Sequence, residues 1–170
     1  ALLYIAKSWC ENNHCKLYSV TINHNYRENS KDEAEQINRL MQKENIKHQI
    51  LNWSEGKNIT SNFEAKGRKA RYDLLAKYAK EHDIHLILTA HHLDDQIENF
   101  FIRLQRGSGV DGLAAMEGVS NLTDDIQLFR PFLQLKKEQL KEYLIENGKK
   151  WFEDKTCLLY TSDAADEDLR

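Results

Sequence analysis

Residues 84–105 read IHLILTAHHLDDQIENFFIRLQ, and the change of character inside this run decides the fold. The first seven residues, rich in Ile, Leu and Thr, are the length of a buried strand. After the polar turn at residues 90–92, a helix is expected from Leu93 to about Arg106. The same alternation recurs on both sides. Strands are expected over about 16–23, 47–53 and 126–130, the last stopped by Pro131. Helices are expected over about 1–13, 30–45, 61–82 and 135–147. Ser30 with Glu33 and Ser61 with Glu64 have capping-box spacing. Ala34, Ile37, Leu40 and Met41 form one apolar stripe, and Tyr72, Leu75, Ala76 and Ala79 another. The glycine-bearing stretch RGSGVDGLAAMEG, residues 106–118, is read as a connection. Strands alternating with helices this long imply an α/β fold, a mainly parallel twisted sheet with helices on both faces. Ligands of such sheets bind at the carboxyl ends of the strands, which directs attention to Asn23-His24-Asn25, Ser54, Ala90-His91-His92 and Arg130-Pro131.

Composition narrows the function classes. The 170 residues are 41% hydrophobic and 30% charged with one proline and seven glycines, which excludes a disordered or collagenous chain and fits one globular domain. No apolar run approaches the ~20 residues that span a bilayer. The start, ALLYIAKSW, has no basic segment and no small-residue cleavage site. Cys10, Cys15 and Cys157 form neither a C-x-x-C nor an even set, so a reducing cytoplasmic setting without membrane attachment is expected. Cys10 and Cys15 read as core thiols, and Trp151 in KKWFED as a buried ring. The last fourteen residues hold four acids and one base, which leaves residues 1–156 neutral. A nucleic-acid contact would therefore use a local basic patch. One back-translation of residues 157–167 resembles the transposase adapter used in sequencing libraries. Residues 1–156 are accordingly expected to be the domain, and 157–170 a non-native tail.

The residues able to carry chemistry cluster at His91-His92-Leu93-Asp94-Asp95-Gln96-Ile97-Glu98. Asp94, Asp95 and Glu98 share one side of the first helical turns. Carboxylates so placed can hold Mg²⁺ beside a phosphate or grip an ammonium group. They can equally cap free N–H groups and complement the helix dipole. The histidine pair favours a site, since capping does not call for imidazoles. Arg106-Gly107-Ser108-Gly109 can turn backbone N–H groups toward an anion or simply end a helix. Arg68 and Arg71 lie on a basic helix face that solvent would suffice to explain, although Arg71 adjoins the stripe residue Tyr72.

Taken together, ITSNFEAKGRKARY (59–72), LTAHHLDDQIENFFIRLQRGSGVDGLAAM (88–116), IQLFRPFL (126–133) and KKWFEDKT (149–156) resemble the N-terminal domain of the tRNA(Ile)-lysidine synthase family, with looser similarity in INHNYRENS (22–30). That family lies within the PP-loop ATP pyrophosphatases, of adenine nucleotide α-hydrolase-like fold. The resemblance covers most of residues 1–156, with Asn99 where the family usually has Thr. It implies ATP-dependent ligation of free L-lysine to the wobble cytidine of an isoleucine tRNA with a CAU anticodon, through an adenylated base, with ATP and Mg²⁺. It implies catalytic duties for Asp94, Asp95, Glu98 and Arg71, with Asp95 and Glu98 on lysine or Mg²⁺ and Asp94, His91 and His92 shaping the pocket. Asn23 and His24 would lie near the adenosine. Arg106, Gly107, Ser108 and Gly109, with Arg71, would face phosphate or tRNA backbone, and Arg68 and Arg130 the tRNA. A homodimer is compatible with this reading. The rivals are a PP-loop tRNA thiolation enzyme and a non-catalytic nucleotide- or RNA-binding module.

The superfamily's Ser-Gly-Gly-x-Asp-Ser loop and the central first strand before it are expected to be missing, because Ala1 matches a position just inside the helix that follows them. Residues 1–170 alone are therefore expected to be inactive. A pyrophosphate-release assay with ATP should read background for this chain; turnover above background would refute the assignment.

Overall fold

The computed structural model describes residues 1–23, 30–54, 63–107, 109 and 114–151. His24, Asn25, Ser61, Ser108, Asp154 and the tail 157–170 lie outside the described residues. The order is α1 (Leu2–Asn12), β1 (Tyr18–Asn23), α2 (Ser30–Lys43), β2 (Lys47–Asn52), α3 (Phe63–Glu81), β3 (Leu86–Leu88), α4 (Leu93–Gln105), β4 (Val119–Thr123), β5 (Ile126–Phe129) and α5 (Lys137–Glu146). No helix among the described residues is long and apolar enough to cross a membrane.

The strands form two sheets, β1-β2 and β3-β5-β4. β1 and β2 pair in parallel, with Tyr18 opposite Lys47 and Asn23 opposite Asn52. α2 packs on both strands and α3 on β1, with Ala34, Met41, Ile46, Trp53 and Ala79 buried. The stripes read from the sequence thus face inward where they carry small or flexible side chains. In the second sheet, Gln127 N–H donates to His85 O and Thr89 N–H to Phe129 O. Partner numbers rise together along both strands, so β3 and β5 run parallel. β3 is the edge of its sheet, with Leu86 and Leu88 exposed.

β4 lies between the connection read over 106–118 and the strand expected over 126–130, where the sequence reading expects no element. Its sequence, VSNLT, lacks an apolar run, and the two-residue turn Asp124-Asp125 lacks the Asn-Gly or Asp-Gly signal of a hairpin. A two-residue link permits only antiparallel pairing with β5. Two smaller expectations also fail. Cys15 is exposed and Cys10 half-buried, and Trp151 is 39% exposed. Polar neighbours, Glu11 beside Cys10, His14 and Lys16 beside Cys15, and Lys150 beside Trp151, go with this exposure.

Three helices end on a residue other than glycine in the left-handed region: His14 after α1, Asn45 after α2 and Asp83 after α3. Each is followed by a bond reaching back five residues, Cys15 N–H to Cys10 O, Ile46 N–H to Met41 O and Ile84 N–H to Ala79 O. This satisfies a helix-end carbonyl and turns the chain toward the next strand. Asn, Asp and His tolerate that conformation better than other side chains do.

Ile126, at 1% exposure, is the largest fully buried side chain among the described residues. Ile126→Ala should lower stability by about 2–5 kcal/mol through lost burial and the cavity left behind, whereas Leu86→Ala, at 46% exposure, should cost under about 1 kcal/mol. Urea unfolding of the two variants tests the difference.

Candidate functional site

The turn from β3 into α4 is held from both ends of the acidic run. His92 is the N-cap of α4 in extended conformation, bridged to Phe132, and Leu93 N–H donates to Leu135 O at 2.9 Å. The Asp95 carboxylate accepts from the His92 backbone N–H at 2.7 Å, closing the first turn of its own helix. The Asp94 carboxylate accepts from the Lys137 backbone N–H at 2.8 Å. Lys137 is the first residue of α5, whose N-cap, Lys136, makes no side-chain cap of its own. Asp94 therefore caps a helix other than its own.

Electrostatics follow from those bonds. The Lys137 N–H, first of several causes, holds the Asp94 carboxyl below its ordinary value, since hydrogen bonding to the charged form favours it. His92 Nδ1 lies 3.4 Å from Asp95 Oδ2 and 3.5 Å from Asp94 Oδ2. Neither approach satisfies hydrogen-bond geometry, so this buried nitrogen lacks a partner. His91 is oriented differently, with Nδ1 2.9 Å from Thr89 Oγ1. Glu98 is exposed, and no hydrogen bond or ion pair engages it among the described residues. The capping reading of the acidic run thus has its counterpart in the structure, since Asp94 and Asp95 are caps.

A feature that the sequence reading missed fixes the chain opposite. Gln96, Asn99 and Arg103 stand on one side of α4 at helical spacing. The Gln96 amide donates to Met116 O at 3.0 Å and accepts from Met116 N–H at 2.7 Å. Asn99 Nδ2 lies 3.9 Å from Met116 Sδ, and Arg103 donates to Ala114 O at 2.9 Å. The recurrence of polar residues at positions 96, 99 and 103 was the available signal.

The remaining candidates are distributed as follows. Arg106 is the exposed C-cap of α4, and Gly107 follows with φ of 67°, a conformation that favours glycine. Gly109 is exposed. Asn23 is buried at the end of β1, and its amide donates to Asn52 Oδ1 at 3.1 Å. Arg68 and Arg71 are exposed on α3, Arg68 lying over the Tyr72 ring at 5.6 Å. Arg130 departs from expectation. Placed against tRNA by the resemblance, it is only 9% exposed and its Nη1 donates inward to Glu117 O and Ser120 Oγ. No group of three or more His, Cys, Asp or Glu side chains is arranged to hold a metal among the described residues. Asp95 and Glu98 offer hard oxygen ligands, which fit Mg²⁺ where phosphate oxygens and water complete the octahedron.

Consistent with this α/β frame, the chain belongs to the PP-loop domain family, whose family model matches residues 1–160. Among named relatives it is similar to tRNA(Ile)-lysidine synthase of Rickettsia conorii, 41% identical over 156 residues, 92% of this chain and 32% of the relative. The tRNA(Ile)-lysidine synthase of Rickettsia typhi is 40% identical over 161 residues, 93% of this chain and 36% of the relative. The chain thus spans about a third of the length of these relatives. Among solved structures it is similar to a U34-tRNA thiolase from Methanococcus maripaludis with a 4Fe–4S cluster. That match has a TM-score of 0.75 and 14% identity, and covers 97% of this chain and 58% of the other. At that identity the likeness speaks for the fold.

Asp94→Ala should remove the α5 cap and cost about 0.5–2 kcal/mol at neutral pH, while Asp94→Asn, which keeps an acceptor oxygen, should cost less. The folded-state carboxyl titrates below its unfolded value, so its contribution is present above the ordinary carboxylate range and is lost as pH falls through the depressed value. Urea unfolding at neutral pH and at about pH 3 should show the gap between wild type and Asp94→Ala closing in acid.

Proposed function

We propose that this chain forms the nucleotide-handling domain of a tRNA-modifying ligase that joins free L-lysine to the wobble cytidine of an isoleucine tRNA with a CAU anticodon. The observation carrying this reading is the AHHLDDQ run with an acid three positions on, followed by RGSG and GLAAM, at a strand-to-helix junction in a PP-loop domain. Relatives bearing the tRNA(Ile)-lysidine synthase name over 92% of the chain support it. In the first step the cytidine C2 oxygen attacks the α-phosphorus of ATP and pyrophosphate leaves. In the second the ε-amine nitrogen of lysine bonds to C2, AMP leaves, and the amine gives up its protons.

The residues suit this chemistry in distinct ways. Asp95 and Glu98 hold the lysine ammonium or a Mg²⁺ ion, which would neutralise charge on the phosphates. Asp95 has one oxygen committed to the His92 N–H, which orients the other. His91, His92 and Asp94 shape the entrance, and Asn23 and His24 adjoin the adenosine. Arg71, Arg106, Gly107, Ser108 and Gly109 meet phosphate or tRNA backbone, and Arg68 meets tRNA. Thiolation by an enzyme with a cluster is less well supported, because the three cysteines include no C-x-x-C.

Glu98→Gln is the decisive variant, because an exposed side chain with no hydrogen bond or ion pair among the described residues can be changed without unfolding the protein. In a chain that also carries the Ser-Gly-Gly-x-Asp-Ser loop, lysine-dependent AMP release on the tRNA should fall by about 10²-fold or more. A loss below about threefold at unchanged stability would discard the assignment.

A further inference from the structure

Helix α1 ends in a turn that brings two thiols together. His14 takes the left-handed conformation, with φ of 54°, and the Cys15 N–H reaches back to Cys10 O at 2.9 Å. In a helix end of this type the two residues so bonded are the pair whose side chains characteristically meet across the turn. Covalent geometry on either side of that bond keeps the two Cα atoms within about 6.8 Å of each other, which is the reach of a disulfide. Both cysteines line one cavity of about 280 Å³. Burial, and after it the neighbouring Cys15, raises the Cys10 thiol above its ordinary value, and a Coulombic influence of that kind requires proximity.

The two thiols differ in access. Cys15 is exposed and Cys10 half-buried. Cys15 Sγ donates to Asn13 O at 3.4 Å, a weak bond that an incoming reagent can displace. We propose that Cys10 and Cys15 form a reversible dithiol–disulfide couple, a modification site oxidised by a small-molecule disulfide of the glutathione class. The Cys15 thiolate attacks one sulfur of that oxidant, its S–S bond breaks, and one thiolate leaves. The Cys10 thiolate then attacks the Cys15 sulfur, the protein S–S bond forms, and the second thiolate leaves. The protons given up by the two cysteines pass to the two released thiolates, so the protein sulfurs are oxidised and the reagent is reduced to two thiols. Only four residues separate the cysteines, so the link closes a short loop and adds little stability. An exposed position keeps it open to reduction. The couple is independent of the roles given to Asp95 and Glu98.

The test equilibrates the full chain without oxygen in glutathione buffers of graded redox ratio, alkylates free thiols with N-ethylmaleimide and digests with trypsin. Cleavage after Lys7 and Lys16 places both cysteines in one peptide, SWCENNHCK, and the link is read as that peptide unalkylated and lighter by two hydrogens. The folded chain should form it with an equilibrium constant at least about tenfold above that in guanidinium, where the turn is lost. Cys10→Ser should instead hold Cys15 as the mixed disulfide with glutathione. A peptide alkylated twice at every ratio, a mixed disulfide persisting at Cys15 in the unchanged chain, pairing of either cysteine with Cys157, an equal constant in guanidinium, or a Cys10→Ser chain that takes up no glutathione would overturn the proposal.

Discussion

The first turns of α4 and α5 each need acceptors for backbone N–H groups that no earlier helical residue can satisfy, and the acidic run at residues 94–98 answers both needs. Asp95 serves α4 through His92 N–H, and Asp94 serves α5 through Lys137 N–H. This requirement ties together the end of β3, the start of α4 and the segment after β5. It also leaves the three acids unequal. Two are orientated by structural bonds, and the third, Glu98, is exposed with no such bond among the described residues.

Much of the fold was legible in the sequence because the strands and helices differ in period and length. α4 followed from the break at residues 90–92, and α2 and α3 followed from stripes whose residues Ala34, Met41 and Ala79 are buried. β4 was hidden because its apolar residues, Val119 and Leu122, are too few to mark an alternation, and the turn after it has no glycine. Residues that carried chemistry by type were easier to find than residues that position them. His91, His92, Asp94 and Asp95 stood out in the sequence, while Gln96 did not, since a glutamine inside a helix announces no partner. The fate of Arg130 was illegible for a related reason. An arginine after a strand reads as surface charge, and only the hairpin made by β4 supplies the carbonyl of Glu117 and the hydroxyl of Ser120 that draw it inside.

The same junction therefore presents two charged environments on different footings. Around Asp94 and Asp95, negative charge is matched by backbone donors and by the nearby His92 ring. Around Arg130, positive charge meets a carbonyl and a hydroxyl at Nη1, while the buried Nε has no hydrogen-bond partner among the described residues.

The Gln96 amide grips the peptide group of Met116, and Arg103 grips the peptide group of Ala114. Attachment through main-chain atoms is indifferent to residue type on the gripped side. Position 114 can therefore drift in sequence without detaching this stretch from α4, and drift at position 116 gives up only the Asn99 contact with Met116 Sδ. Position 96 is confined to a side chain offering donor and acceptor together at glutamine's reach. Variation among descendants of this chain should accordingly be lopsided, permissive in the loop and restrictive on the helix.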